Sequence, residues 1–241
     1  MRNAGKKGNV AMAIVRVEKN PSSRIAAGND LLARAGNTSG KSVGPKLAAF
    51  KKVHTTYLAA EKAVMQTTAV ETTALQAVAN ADVAQDAAVE ALAGALIGAG
   101  GDRRNPFKAF GFESPSAIEQ LGYAAEAKRV KQLVTALPTA SPAPVKNAAK
   151  KLLASAGAVE KAIAASAKPT AARTQALSAR HALDQGWETA YAGVKNAARV
   201  AEDDGAKGLF ASLFGTAKAR PKKKKAKAAA PGTATATAAG K

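Results

Sequence analysis

The sequence predicts an all-α protein: an Ala-rich antiparallel helical bundle with a long first helix and disordered basic termini. Three observations predict it. After Val17 there is no alternating run of β-branched residues, and no Asn-Gly or Asp-Gly hairpin is flanked by strand-like segments. Ala, Val, Leu, Glu, Gln and Lys recur over long stretches without Gly or Pro. Helix starts are signalled twice as Ser-Pro pairs, Ser114-Pro115 and Ser141-Pro142, a capping residue followed by Pro at the first helical position.

Taken in order, residues 1–44 are rich in Gly, Asn and Ser and predict a mostly flexible basic segment. One short helix fits there, from Ser22 or Ser23 to Ala35. Between Pro45 and Ala99 no Gly or Pro intervenes until Gly94, which predicts a single helix of about 50 residues, some 75 Å long at about 1.5 Å per residue. A heptad frame begun at Leu47 puts Phe50, Tyr57, Val64, Leu75, Val78, Val89, Leu92 and Leu96 on one seam. It also puts His54, Glu61, Thr68, Glu71, Asp82 and Gln85 there. So interrupted a repeat favours a globular bundle over a long two-stranded coiled coil.

Gly98–Glu113 predicts a loop, and Ser114-Pro115 a second helix to about Leu137. The prolines at 138–144 end it or kink it. Ser141-Pro142 opens a third helix to about Ala167, Lys168-Pro169 breaks that, and a fourth runs from Thr170 to Asp203. The bundle is therefore residues 45–205, with 206–241 a disordered Lys/Ala/Pro-rich tail. Two layouts fit: four helices up and down, or three with a kink at 138–144. The aromatic residues discriminate, since contact between Phe107/Phe110/Phe112 and Phe210/Phe214 would favour the kinked layout. Only 36 of residues 45–205 are large and apolar. The rest of the apolar content is Ala, which lets helices approach closely but buries little area each.

The chain has no Cys, which excludes disulfides and thiolate metal sites and suits a reducing, cytoplasmic compartment. Its apolar runs, Val10–Val15 and Ala91–Ala99, are too short for a signal sequence or a membrane span. Residues 35–42, AGNTSGKS, satisfy a loose phosphate-loop pattern. The charged, helix-like segment before them and Pro45 after them supply neither the strand nor the helix that such a loop needs, so we read a coincidence. His181, Asp184 and Glu188 share one helical face, as do His54 and Glu61. The order and number fall short of a carboxylate-bridged dimetal pattern, and these read as solvated polar residues at a bundle edge. No catalytic arrangement and no cofactor is indicated. Arg103, Arg104 and Lys108 interleave with Phe107, Phe110 and Phe112, a mixture that suits single-stranded nucleic acid. An apolar plug closing one end of the bundle is the favoured alternative.

The functional clue is where charge lies. Of a formal +19, residues 206–241 carry +9 with no acid and residues 1–44 carry +6, leaving +4 on the 161 residues between. Seven cations crowd positions 218–227: Lys218, Arg220, Lys222, Lys223, Lys224, Lys225 and Lys227. Lys6 and Lys7 add to them at the other terminus. The tail, residues 217–241, resembles the Lys/Ala/Pro-rich tails of bacterial histone H1-like nucleoid proteins. The resemblance implies a nucleoid-associated role, with DNA or RNA backbone as partner. Seven phosphate contacts would weaken duplex binding with salt at a log–log slope of about −6, independent of base sequence. The competing expectation is an interaction protein whose bundle docks a protein partner or a second copy of itself.

Overall fold

The computed structural model describes residues 20–36 and 43–215. It is all-α, with no strand among the described residues. Two helices dominate: α2, Gly44–Gly98, of 55 residues, and α5, Ala143–Asp203, of 61. Four shorter ones pack on them: α1 (Pro21–Ala35), α3 (Pro115–Glu119), α4 (Tyr123–Ala136) and α6 (Leu209–Phe214). A 3-10 turn, Lys108–Phe110, lies in the loop after α2.

α2 and α5 run antiparallel in constant register. Phe50 meets Tyr191, Trp187 bonds to His54, Tyr57 bonds to Asp184 and Arg180 bonds to Glu61. The numbers in each pair add to 241. The Arg173–Glu71 ion pair continues the pairing, offset by three residues. At 1.5 Å per residue α2 alone is about 82 Å long.

Two separate cores sit along this pair. In the near core, α1 and α6 cover Phe50, Tyr57, Trp187, Tyr191 and Val194, with Leu31 and Leu213 inserted from the small helices. In the far core, α3, α4 and the loop before them cover Val89, Leu92, Leu152 and Val159, with Phe107, Ile118, Val130 and Leu133 inserted. Between the cores, α2 and α5 have only each other among the described residues. Two cylinders cannot shield one another's flanks, so Met65 and Val70 stand 67% and 57% exposed.

Several expectations are corrected. Pro169 does not break α5; it lies inside it. A proline removes one backbone bond, here to the carbonyl of Ala165, and crowds the preceding turn. Ala165 is exposed, so water reaches that carbonyl. The flanking alanines favour helix on both sides, and Arg173 and Arg180 tie the following turns to α2. The segment 114–137 is two helices, because Ile118 is drawn fully into the far core and the chain turns at 120–122 to start α4 after Gly122. The break at 138–142 is a turn between separate helices, closed by Ser141 Oγ donating to the Pro138 carbonyl at 2.6 Å. The two phenylalanine groups belong to different cores and do not meet. Neither simple layout therefore describes the molecule. α1 packs into the near core, and α6, inside the segment assigned to the tail, carries the packed body to Gly215.

Candidate functional site

Three polar arrangements stand out, beginning with the joint between α1 and the long pair. Asn20 caps α1, its Oδ1 accepting from Ser23 N at 2.7 Å. One turn on, Arg24 is only 4% exposed. Its guanidinium donates to Asp184 Oδ1 at 2.7 Å and Glu188 Oε1 at 2.5 Å, and Tyr57 donates to the same Asp184 oxygen at 3.0 Å. Burial works to raise the Asp184 pKa. Hydrogen bonds from Tyr57 and His181 and the charge of Arg24 outweigh it and hold the carboxyl below its ordinary value. Asp184 is thus a half-buried anchor of α1 rather than a solvated edge residue, whereas Glu188, which also holds Arg24, is exposed as expected. His54 is corrected likewise. It is 1% exposed, accepts from Trp187 Nε1 at its Nδ1 and bonds Asn29 Oδ1 through Nε2 at 2.9 Å. His181 is exposed, and its Nδ1 lies 3.3 Å from Asp184 Oδ2. The phosphate-loop lookalike follows helix α1 rather than a strand, and its residues 37–42 lie outside the described residues.

The second arrangement is the cationic loop at the far end. Arg103, Arg104 and Lys108 are all exposed. Asp102 Oδ1 accepts from Arg104 N, and Asn105 spans the loop by accepting from Phe107 N and donating to the Phe112 carbonyl. Gly111 turns the chain at φ 79°, a left-handed conformation that a side chain would resist. Phe107 is fully buried, and Phe110 and Phe112 pack against the far core. Arg129 lies 4.4 Å over the Phe112 ring while its guanidinium grips Glu113. The rings are therefore committed to packing, with the cations outside them. Phe110 also lines a pocket of about 390 Å³ between this loop and the 138–142 turn. The remaining sequence-predicted cations, Lys6, Lys7, Lys218, Arg220, Lys222, Lys223, Lys224, Lys225 and Lys227, lie outside the described residues. Gly215, where the described chain ends, sits at the opposite end of the molecule, against the Arg34 guanidinium and beyond the Phe214–Tyr191 ring contact.

The third arrangement was missed in the sequence. Asp82 and Asp86, one turn apart on α2, meet Glu126 from the first turn of α4, with a carboxylate oxygen of each within 4.8 Å of the others. Glu126 is 1% exposed and Gln85, beside it, is 0% exposed. Burial above all, then the charges of Asp86 and Asp82, push the Glu126 pKa up to about 7 against the pull of the Gln85 amide. Asp82 is raised by burial and by Asp86. Glu119 on α3 is raised by burial and by Glu90 and Asp86, which extends the acidic strip toward the loop end. The signal was present in part: Asp82, Asp86 and Glu90 recur every fourth residue. The carboxylate that completes the cluster comes from a helix 40 residues on.

No family model matches this chain, and no curated protein or solved structure does either. Among the described residues, no helix is long and apolar enough to cross a membrane.

Proposed function

We propose that this is a non-enzymatic, nucleoid-type protein that binds the phosphate backbone of DNA or RNA without regard to base sequence. One observation carries the reading: 15 of the 19 net positive charges belong to residues 1–44 and 206–241. A cation run without acids exchanges its counterions for those of a polyanion, and gains affinity from their release. The helical body then acts as a spacer about 80 Å long, with the lysine run joined to its near end and Arg103, Arg104 and Lys108 at its far end. The test compares the full chain with one in which the seven basic residues at 218–227 are glutamine, by mobility shift on random-sequence duplex across a salt series. The substituted chain is expected to lose most of its affinity, and its log–log salt slope to shrink by about 6. Equal affinity at moderate salt would remove the proposal.

A second reading rests on the bare middle of the long pair, where Met65, Val70 and Leu75 are half or more exposed. In it the protein is structural, and the middle packs against a protein partner or a second copy. Light scattering over a concentration series separates the two, since only this reading requires self-association of the tail-neutralised chain or a stoichiometric protein partner.

A further inference from the structure

We propose that Asp82, Asp86 and Glu126, beside the buried amide of Gln85, bind one divalent cation of the oxygen-seeking class: Mg²⁺, Mn²⁺ or Ca²⁺.

The geometry suits such an ion. Residues four apart on a helix point the same way, so Asp82 and Asp86 offer a pair of carboxylates to the side of α2 that faces α4. Glu126 closes the triangle from α4, with the three oxygens within 4.8 Å of one another. An ion with about 2.0–2.6 Å to each oxygen spans neighbouring ligands about 3 Å apart and opposite ligands about 4–5 Å apart. The donor set decides the class. It is all oxygen; the chain has no Cys, and both histidines belong to the near core or its surface. Hard cations are the ones that carboxylate and carbonyl oxygens select.

A second observation, independent of the acidic cluster, points the same way. Gln85 is 0% exposed and its amide lies beside Glu126, yet neither its Oε1 nor its Nε2 has a partner in good hydrogen-bond geometry among the described residues. Both oxygens of Glu126 and one each of Asp82 and Asp86 are buried and similarly without partners. Buried polar groups are nearly always paired, and an unpaired one costs free energy. Three such carboxylates within 4.8 Å of one another, with the Gln85 amide beside Glu126, form an arrangement that a cation would complete. Charge sharpens the argument. Among the described residues no ion pair involves Asp82, Asp86 or Glu126, in a chain with 36 Lys and Arg. A bound ion would also join α4 to α2 and so brace the far core.

The test uses the full chain, freed of nucleic acid by nuclease and high salt. Mn²⁺ is titrated and the free ion followed by electron paramagnetic resonance, with Mg²⁺ and Ca²⁺ as competitors. One Mn²⁺ per chain is expected, with a dissociation constant on the order of 10⁻⁵ to 10⁻³ M. The double variant Asp82→Asn/Asp86→Asn is expected to bind about 100-fold more weakly or not at all, with its helical circular dichroism retained because the change relieves repulsion. Glu126→Gln, which keeps the shape, is expected to weaken binding about tenfold or more. Absence of saturable Mn²⁺ binding by the wild-type chain overturns the proposal, and so does binding that both variants leave unchanged.

Discussion

Trp187 donates its indole N–H to Nδ1 of His54 at 3.0 Å, and that bond sets which nitrogen of the imidazole carries the proton. With Nδ1 accepting, Nε2 is the N–H that faces Asn29 Oδ1. The ring stacks on Phe50 at 5.5 Å and is closed over by α1. A histidine so placed is a neutral core residue. A second proton would set two donors face to face.

The first prediction concerns pH. Burial lowers the His54 pKa below its ordinary 6.5. The folded state therefore binds fewer protons at this site than the unfolded chain. Its contribution is fully present above about pH 6.5 and is lost as pH falls below that. Glu126, pushed up to about 7, titrates in the same window with the opposite sign. The His54 part is thus read from the difference between wild type and His54→Phe in chelator. The variant is expected to be less stable at pH 8 by about 1–3 kcal/mol, because Trp187 loses its acceptor. The gap is expected to narrow by pH 5. Urea midpoints at the two pH values check it; a constant gap would contradict the assignment.

Gly28 supplies the second. A methyl group added there would lie 2.2 Å from Cε1 of His54, closer than any packing permits. Gly→Ala inside a helix ordinarily stabilises by about 1 kcal/mol. Here Gly28→Ala is expected to destabilise by about 2 kcal/mol through overpacking. Gly157→Ala and Gly186→Ala, on α5 with nothing within 4 Å of the new atom, are expected to stabilise by about 0.5–1 kcal/mol. Thermal melts of the three variants should show one sign opposite to the other two.

Arg24 holds α1 in place by charge. Replacing it with Met leaves Asp184 without its strongest partner, while Glu188 is 44% exposed and regains water. Removing one partner of a fully buried pair costs about 3–5 kcal/mol. The partial exposure here reduces the expected loss to about 2 kcal/mol. α1 should loosen first, so limited proteolysis near residues 36–43 is expected to accelerate before the far core responds.

These sites show what a linear pattern carries and what it leaves out. The seam begun at Leu47 ran correctly through polar positions: His54 and Gln85 are as buried as Phe50 and Tyr57, and Glu71 is nearly so. Periodicity reports which side of a helix turns inward. It is silent on the partner, which is why buried His54 and half-buried Asp184 read as a solvated edge. Leu75 fails in the other direction. It lies on the seam yet is 50% exposed, because only the first turn of α4 reaches that level and leaves an open groove beside it. The all-α class and the span of α2 followed from local chemistry alone. The carboxylate cluster did not, since it joins α2 to a helix that only tertiary packing brings near.

Pro169 gives the last prediction, because there the local rule and the fold disagree. A proline inside a helix forgoes one backbone bond and strains the preceding turn, at about 3 kcal/mol or more in a regular helix. α5 nevertheless continues for 34 residues beyond it, to Asp203. The carbonyl that loses its donor is that of Ala165, which is exposed to water. Two ion pairs to α2, at Arg173 and Arg180, then hold the second half of the helix in register. If the continuity comes from those contacts, Pro169→Ala should restore the missing bond and raise stability by about 1–3 kcal/mol, less the unfolded-state entropy that proline removes. Replacing Arg173 and Arg180 together by Gln should cost more in the proline-containing chain than in the alanine one. A double-mutant cycle by urea denaturation measures that difference, and a coupling near zero would mean that α5 holds its course past Pro169 on alanine propensity alone.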